Sequence, residues 1–367
     1  MQKPCVVFVD DEIETLKPLA DCVRDAGIAG CTVESPADID TEMLVAADLV
    51  VVDYTLEKWP SMVDEDEISR KPLNGIALSA VLREHSRANG TEAPTAFALI
   101  TGKPNSVSSI PGERRPHVVA RLSNLEWFFE KQASTEDNVR RIASLASAVH
   151  NLPRNLNEGP IDVGELLEIL GAGAADLSDR YREAIERCRP PIHHLSEHSG
   201  GLAVIRWLLH RIIPHTCFLV DSLNLAARLR VTSESLLAQL QAETEFSKQL
   251  SVYRYGGPLN DFGGDRWWRG GIEQWIWELT EGNSANAEAV LAELRKLGAD
   301  LLEPVGIVRP VLTLGENLEV EATFSARDDV EPVQLDDWPS YAEPAYMRKL
   351  LLSEHEELGI FKSDQTG

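Results

Sequence analysis

The stretch Cys5-Val6-Val7-Phe8-Val9-Asp10-Asp11 decides the fold, with Leu49-Val50-Val51-Val52-Asp53 as its echo. An unbroken apolar run of four or five residues, closed by a turn, is the pattern of a strand buried on both faces. A carboxylate that follows such a strand lies at the carboxyl edge of a parallel sheet, where open α/β folds bind their ligands. Asp10, Asp11 and Asp53 therefore converge on one edge. Three carboxylates make a hard, oxygen-lined, negative pocket suited to Mg²⁺ and a phosphoryl group. Thr101 and Lys131 follow two further apolar runs, so a hydroxyl and an ammonium join the same edge.

Working outward, strand and helix alternate to about residue 150. Strands are expected at 5–9, 31–34, 48–53, 95–100 and 125–130. Helices are expected at 13–26 (through Pro18, ended by Gly27), 36–46 (opened by Ser35-Pro36), 75–88, 116–122 and 136–150. Strict alternation implies a parallel sheet covered on both faces, an α/β doubly wound unit of five strands. One connection is unusually long: Glu57 to Pro72, with Asp64-Glu65-Asp66-Glu67 and Arg70-Lys71-Pro72. It reads as a lid beside Asp53, a partner-binding insertion or a solvated loop.

Taken in this order, an acidic pair, Asp, Thr and Lys at successive strand ends resemble the receiver domain of bacterial two-component response regulators over residues 4–150. The resemblance implies a flavodoxin-like sheet of order 2-1-3-4-5. It implies Asp53 as phosphoacceptor, with Asp10, Asp11, Asp53 and the backbone carbonyl of Thr55 holding Mg²⁺. Thr101 and Lys131 would contact the acyl phosphate, and Phe128 stands where the family has its aromatic switch. Gln132 stands where the family usually has proline. The implied partner is a sensor histidine kinase or phosphotransfer protein, and the chain would be a cytoplasmic phosphoacceptor rather than an enzyme acting on other substrates. Elementary chemistry supports these roles, because phosphoryl transfer needs positioning and charge stabilisation of the equatorial oxygens. The simpler role of Asp10-Asp11 is to cap a helix N-terminus.

Composition narrows the alternatives. The 367 residues carry a formal charge of −24, and 43% are hydrophobic, enough for two packed domains. No cluster of Lys and Arg matches the phosphate spacing of DNA, so nucleic-acid binding is not expected. The five cysteines are scattered without a Cys-x-x-Cys pair, which argues for reduced thiols rather than a disulfide framework. The first strand begins by Cys5, leaving no room for a signal peptide. The most apolar stretch, Leu202 to Val220, is broken by Arg206, His210 and Arg211, so no membrane span is expected.

Residues 151–367 resemble no family and read as a mainly helical output or interaction domain with a small β-hairpin. Helices are expected within 161–187 and at 201–213, 216–229, 232–250, 270–280, 285–297 and 343–357. The hairpin lies between Val305 and Leu335, clearest in the alternation from Leu318 to Phe324. Three features invite sharper readings. His194-Leu195-Ser196-Glu197-His198 fits the H-x-x-E-H pattern of zinc hydrolases, against polar histidines in a loop. Residues 222–240 resemble a helix-turn-helix linked at Arg230-Val231, a candidate for DNA reading, but its second helix offers Glu234 and Gln239 without Lys or Arg near its start. Arg266-Trp267-Trp268-Arg269, with Trp275 and Trp277, is either core or an exposed interaction patch.

Overall fold

The protein is described here by a computed structural model covering residues 3–28, 30–58, 72–89, 94–110, 112, 114–153, 156, 159–172, 179–193, 195, 201–336 and 338–362. The chain forms two compact units. The first comprises Met1–Ile169, Pro191–His210 and Gly257–Gly263; the second comprises Leu170–Pro190, Arg211–Gly256 and Gly264–Gly367.

The first unit opens with β1 (Cys5–Val9), α1 (Ile13–Asp25), β2 (Gly30–Glu34), α2 (Thr41–Ala46), β3 (Leu49–Asp53) and α3 (Gly75–Ala88). It continues with β4 (Ala96–Thr101), α4 (Pro104–Val107), α5 (Arg115–Leu122), β5 (Trp127–Glu130) and α6 (Thr135–His150). The five strands are parallel in the order β2-β1-β3-β4-β5, the flavodoxin-like order that the resemblance implies. Their apolar runs are buried on both faces. Val7, Val9, Val50, Val52, Phe97, Leu99 and Phe128 meet Leu44, Leu78, Leu82, Val119 and Ala120 on one side. The alternating residues, among them Phe8, Val51, Ala98 and Phe129, are equally buried on the other, where α1 and α6 lie against the strands.

Local chemistry sets the helix ends. Asn74 caps α3 by accepting from Ala77 N at 3.0 Å, and Ser134 caps α6 from Asp137 N at 3.4 Å. The helix expected from residue 36 starts only at Thr41. Ser35 instead holds a turn, its carbonyl accepting from Asp38 N at 2.9 Å, and Asp40 is the cap, accepting from Met43 N at 2.8 Å. Pro18 does not end α1, because it lies on the exposed face.

The first unit reaches beyond residue 150. It includes α7 (Val163–Ile169) and α9 (Leu202–Trp207), the latter running into a π-helical turn at Leu208–Ile212. Gly201 opens α9 with φ 86°, and a Cβ there would stand 2.6 Å from Leu156 Cδ1. Only glycine fits both the backbone and the space. Between α7 and α9 in the chain lies α8 (Asp179–Arg187), which belongs to the second unit.

The second unit is helical with three two-stranded sheets. β6 (Leu219–Asp221) pairs with β7 (Arg266–Trp268), β8 (Pro310–Leu314) with β9 (Val320–Ala326), and β10 (Val330–Val333) with β11 (Ala345–Arg348). Besides α8, its helices among the described residues are α10 (Ser222–Leu229), α11 (Ser233–Leu240), α12 (Glu245–Ser251), α13 (Arg269–Leu279), α14 (Ala287–Lys296) and α15 (Lys349–Glu354). The helix expected over 216–229 is a strand followed by a helix: residues 219–221 pair with 266–268, and Asp221 caps α10 through Asn224 N at 2.8 Å. The helix expected over 232–250 is broken, because Thr244 caps a new one by accepting from Ser247 N at 3.3 Å. The final helix begins late, since 345–348 are taken by pairing with β10. The hairpin expected between 305 and 335 is β8–β9. Among the described residues no helix is long and apolar enough to cross a membrane.

Trp267, Trp268 and Trp275 are buried, as is Arg266, whose guanidinium donates to Gly264 O and Ile213 O, both at 3.1 Å. Arg269 is held by Glu273 at 2.8 Å and Glu343 at 3.1 Å. The Arg266–Arg269 stretch is therefore core and ion-pair network, not an exposed patch, because both faces of β7 are covered, Trp267 by the helical core and Trp268 by Tyr181, Phe218 and Tyr255; only Trp277 of the group is largely exposed.

Candidate functional site

The carboxyl edge of the five-stranded sheet gathers the acidic and basic side chains singled out in the sequence. Register explains why. Asp53 ends β3 opposite Ile100, and Thr101 ends β4 opposite Glu130, with Lys131 one residue beyond. Asp10 follows β1 directly. Lys131 Nζ stands 2.9 Å from Asp53 Oδ1 and 3.4 Å from Asp10 Oδ2, so one ammonium is shared by two buried carboxylates.

Each group is oriented by its own chain. Asp10 accepts from Glu12 N at 2.8 Å and from Thr15 Oγ1 at 2.7 Å, so it also organises the start of α1, the simpler role open to it. Asp53 Oδ2 accepts from Thr55 N at 3.1 Å, a turn that holds its side chain toward Lys131. Thr101 is buried, and its hydroxyl accepts from Lys103 N at 3.0 Å, leaving its proton to donate elsewhere. Lys131 N donates to Thr101 O at 2.8 Å. Gln132 ties the same two loops together, its amide donating to Gly102 O at 2.9 Å.

Burial pushes the Asp53 carboxyl above its usual range, and the Asp10 charge adds to this; Lys131 and the Thr55 N–H pull the other way. The Asp11 carboxyl is also raised, first by burial and then by Asp10, against the Lys58 N–H that it accepts. The pocket thus concentrates negative charge at a cost that a cation offsets.

Among the described residues no three His, Cys, Asp or Glu side chains are gathered into a ready metal ligand set. Lys131 takes the place between Asp10 and Asp53, and Asp11 accepts from the backbone N–H of Lys58. The donor chemistry nonetheless fits a hard divalent ion: carboxylates at the ends of two adjacent strands, strained by mutual repulsion, beside the backbone of Thr55.

Two residues of this site were not legible as functional. Gly75 opens α3, and a Cβ there would lie 2.1 Å from the Asp53 carbonyl oxygen. Its signal was the Asn74-Gly75 pair before a helical run, which reads only as a cap. Lys58 lies at the start of the long connection after β3; its ammonium pairs with Glu12 while its N–H reaches Asp11. The rest of that connection, residues 59–71, lies outside the described residues. Phe128 is fully buried in the sheet's inner face beside Leu99, its register partner.

His194, Glu197 and His198 of the zinc-like pattern lie outside the described residues. Farther along the chain, the His210 ring stacks on Trp127 and its Nδ1 lies 3.2 Å from His117 Nδ1. Burial, reinforced by His117, pushes its imidazole down to about 3. In the helix-turn-helix candidate, α10 and α11 are joined through Arg230 in the left-handed conformation at φ 59°. Gln239, however, faces inward, and α11 presents Glu234, Leu237 and Ala238 to solvent.

Comparison with solved structures returns response regulators. A CheY-like receiver domain protein from Methanospirillum hungatei JF-1 is 10% identical over 41% of this chain and 98% of its own, with a TM-score of 0.28. The receiver domain of Francisella response regulator 1452 is 16% identical over 40% of this chain and 98% of its own, at 0.25. The RcsB response regulator of Salmonella typhimurium, whose structure concerns DNA interaction, is 16% identical over 51% of this chain and 77% of its own, at 0.27. No protein-family model and no curated protein matches the chain. The five parallel strands in the order β2-β1-β3-β4-β5 make a flavodoxin-like sheet.

Proposed function

We propose that the chain is a response regulator that accepts a phosphoryl group on Asp53 and signals through residues 151–367. The observation that supports this most is the shared ammonium: Lys131 Nζ lies within 3.4 Å of both Asp10 and Asp53. A lysine so placed can hold a phosphoryl oxygen on Asp53 while balancing Asp10.

Asp53 is the nucleophile, aimed by the Thr55 N–H. Asp10, Asp11, Asp53 and the Thr55 carbonyl would hold Mg²⁺, which when bound supplies charge neutralisation for the transferring group. Thr101 donates its hydroxyl to a phosphoryl oxygen once the acyl phosphate forms. The modified Asp53 carries up to two negative charges where one stood, enough to draw Thr101 inward. Phe128, packed beside β4, then repacks against the space Thr101 leaves, giving two discrete arrangements. The phosphoryl donor in this reading is a sensor histidine kinase or a phosphotransfer protein.

The output is proposed to be a protein contact. The exposed face of α11 offers a carboxylate and small apolar groups, and nothing basic to meet a phosphate backbone. Duplex binding that weakens steeply with salt would instead favour a DNA-binding regulator.

Incubating the protein with acetyl phosphate and Mg²⁺ should label Asp53, and Asp53→Asn should abolish the label. Equal labelling of the variant would remove the proposal.

A further inference from the structure

Arg115 opens α5 and is buried, only 7% exposed, yet all three nitrogens of its guanidinium are engaged. Nε donates to Ile110 O at 3.0 Å, Nη1 to Glu130 Oε1 at 2.7 Å and Nη2 to Asn105 Oδ1 at 2.8 Å. One of these partners ends β5; the other two lie on the connection from β4 to α5. Glu130 is the register partner of Thr101 and directly precedes Lys131. We propose that Arg115 is a positioning residue for phosphoryl transfer to Asp53, bracing residues 102–110 so that the Thr101 hydroxyl keeps its place. The proposal rests on the reading of Asp53 as the phosphoacceptor.

The brace has a fixed end and a loose end. Glu130 is the fixed one: its backbone is paired with β4, and its carbonyl accepts from the buried Asn138 Nδ2 at 2.9 Å. The loose end is α4, a single turn of four residues, too short to hold its shape alone. Lys103 leads into that turn, and its N–H donates to Thr101 Oγ1 at 3.0 Å. A shift of the turn therefore moves the group that orients the Thr101 hydroxyl. Gln132 secures the near side of the connection at Gly102, whereas Arg115 secures its middle and far side. The planar fork of a guanidinium suits this task, because it meets three acceptors in fixed directions, and its bond to Glu130 is charge-assisted.

Phosphoryl transfer asks the protein for donors already held where charge develops. Arg115 has no contact with Asp53 and takes no part in bond making; it acts through Thr101. Its loss leaves Asp10, Asp11, Asp53 and Lys131 in place and frees one donor of the set. The rate of transfer should then fall without any change in how the acidic pocket binds a cation.

The test follows labelling of the full-length protein by saturating acetyl phosphate and Mg²⁺ over time. Arg115→Met should slow labelling by about tenfold to a hundredfold, as a misplacement of up to roughly 1 Å does. The half-saturating Mg²⁺ concentration should stay at the parent value. Arg115→Lys keeps the charge for Glu130 but lacks the fork, so it should recover part of the rate. Asn105→Ala, at an exposed side chain, removes one contact of the brace and should slow labelling in the same direction; it decides the matter if Arg115→Met folds poorly. On a Thr101→Ala background, Arg115→Met should slow labelling no further, because both changes remove one effect. A merely structural arginine would act equally on both backgrounds. That additivity, or parent rates in both Arg115→Met and Asn105→Ala, would overturn the proposal while leaving Asp53 as the acceptor. A parent protein that takes no label, or a label that survives Asp53→Asn, would remove that reading and the proposal with it.

Discussion

Arg206 on α9 donates through Nε to Glu126 Oε1 at 2.7 Å, and Glu126 has no exposed surface at all. The other carboxylate oxygen accepts from Phe97 N at 2.5 Å, and Arg206 Nη1 reaches Asn124 Oδ1 at 2.7 Å. A segment far along the chain thus neutralises a charge buried at the amino edge of the first unit's sheet. Arg206→Ala would strand that carboxylate. Removing one partner of a fully buried pair costs about 3–5 kcal/mol; with Arg206 partly exposed, roughly 2–4 kcal/mol is expected. Urea unfolding measures it, and a loss below about 1 kcal/mol would mean that the pair is solvent-screened.

The raised carboxyl of Asp53 has a consequence for stability. Burial and Asp10 lift its folded-state pKa, so its ionisation opposes folding at neutral pH. This penalty is present above the folded pKa and disappears below the unfolded value of about 3.9. Asp53→Asn should therefore unfold at a higher temperature than the parent at pH 7, with the gain shrinking as pH falls through the carboxylate range. Thermal melts across pH check this; a gain that does not vary with pH would show another origin.

Gly75→Ala should damage the same strand end without touching a charged group. Its Cβ would meet the Asp53 carbonyl at 2.1 Å and Leu99 Cδ1 at 2.8 Å, and neither backbone nor buried leucine can yield far. Overpacking of this kind costs about 1–3 kcal/mol or more, and Asp53 labelling should fall together with stability. Full labelling with a normal melt would show that the helix start shifts freely.

In the second unit Gln239 is a structural hinge of hydrogen bonds. Its amide donates to Thr244 Oγ1 and Gly298 O, both at 3.3 Å, and accepts from Leu301 N at 3.0 Å. Gln239→Ala leaves these groups unpaired, a loss of about 1–3 kcal/mol by chemical denaturation. Labelling at Asp53 should be unchanged. A large labelling defect with normal stability would contradict this structural role.

The first unit was legible because its signals are local. Apolar runs such as 49–52, closed by turns, read as strands buried on both faces, and their parallel direction follows from the helices between them. Asp10, Asp53, Thr101 and Lys131 then had one edge to share, and the distances around Lys131 Nζ agree. The second unit was less legible where pairing over long separations overrode helical periodicity, as at 219–221 and 345–348. The tryptophans near 267 read first as core, and the burial of Trp267, Trp268 and Trp275 bears that out.

By itself, then, the sequence determined the alternation of strand and helix and the set of groups at the strand ends, since both follow from patterns within short segments. The strand order came only as what the resemblance implies. Only the tertiary structure decided that Arg206 neutralises Glu126 and that Gln239 is spent on Thr244, Gly298 and Leu301. Most of those partners lie far apart in the chain, and no local pattern records which distant group a buried polar side chain will find.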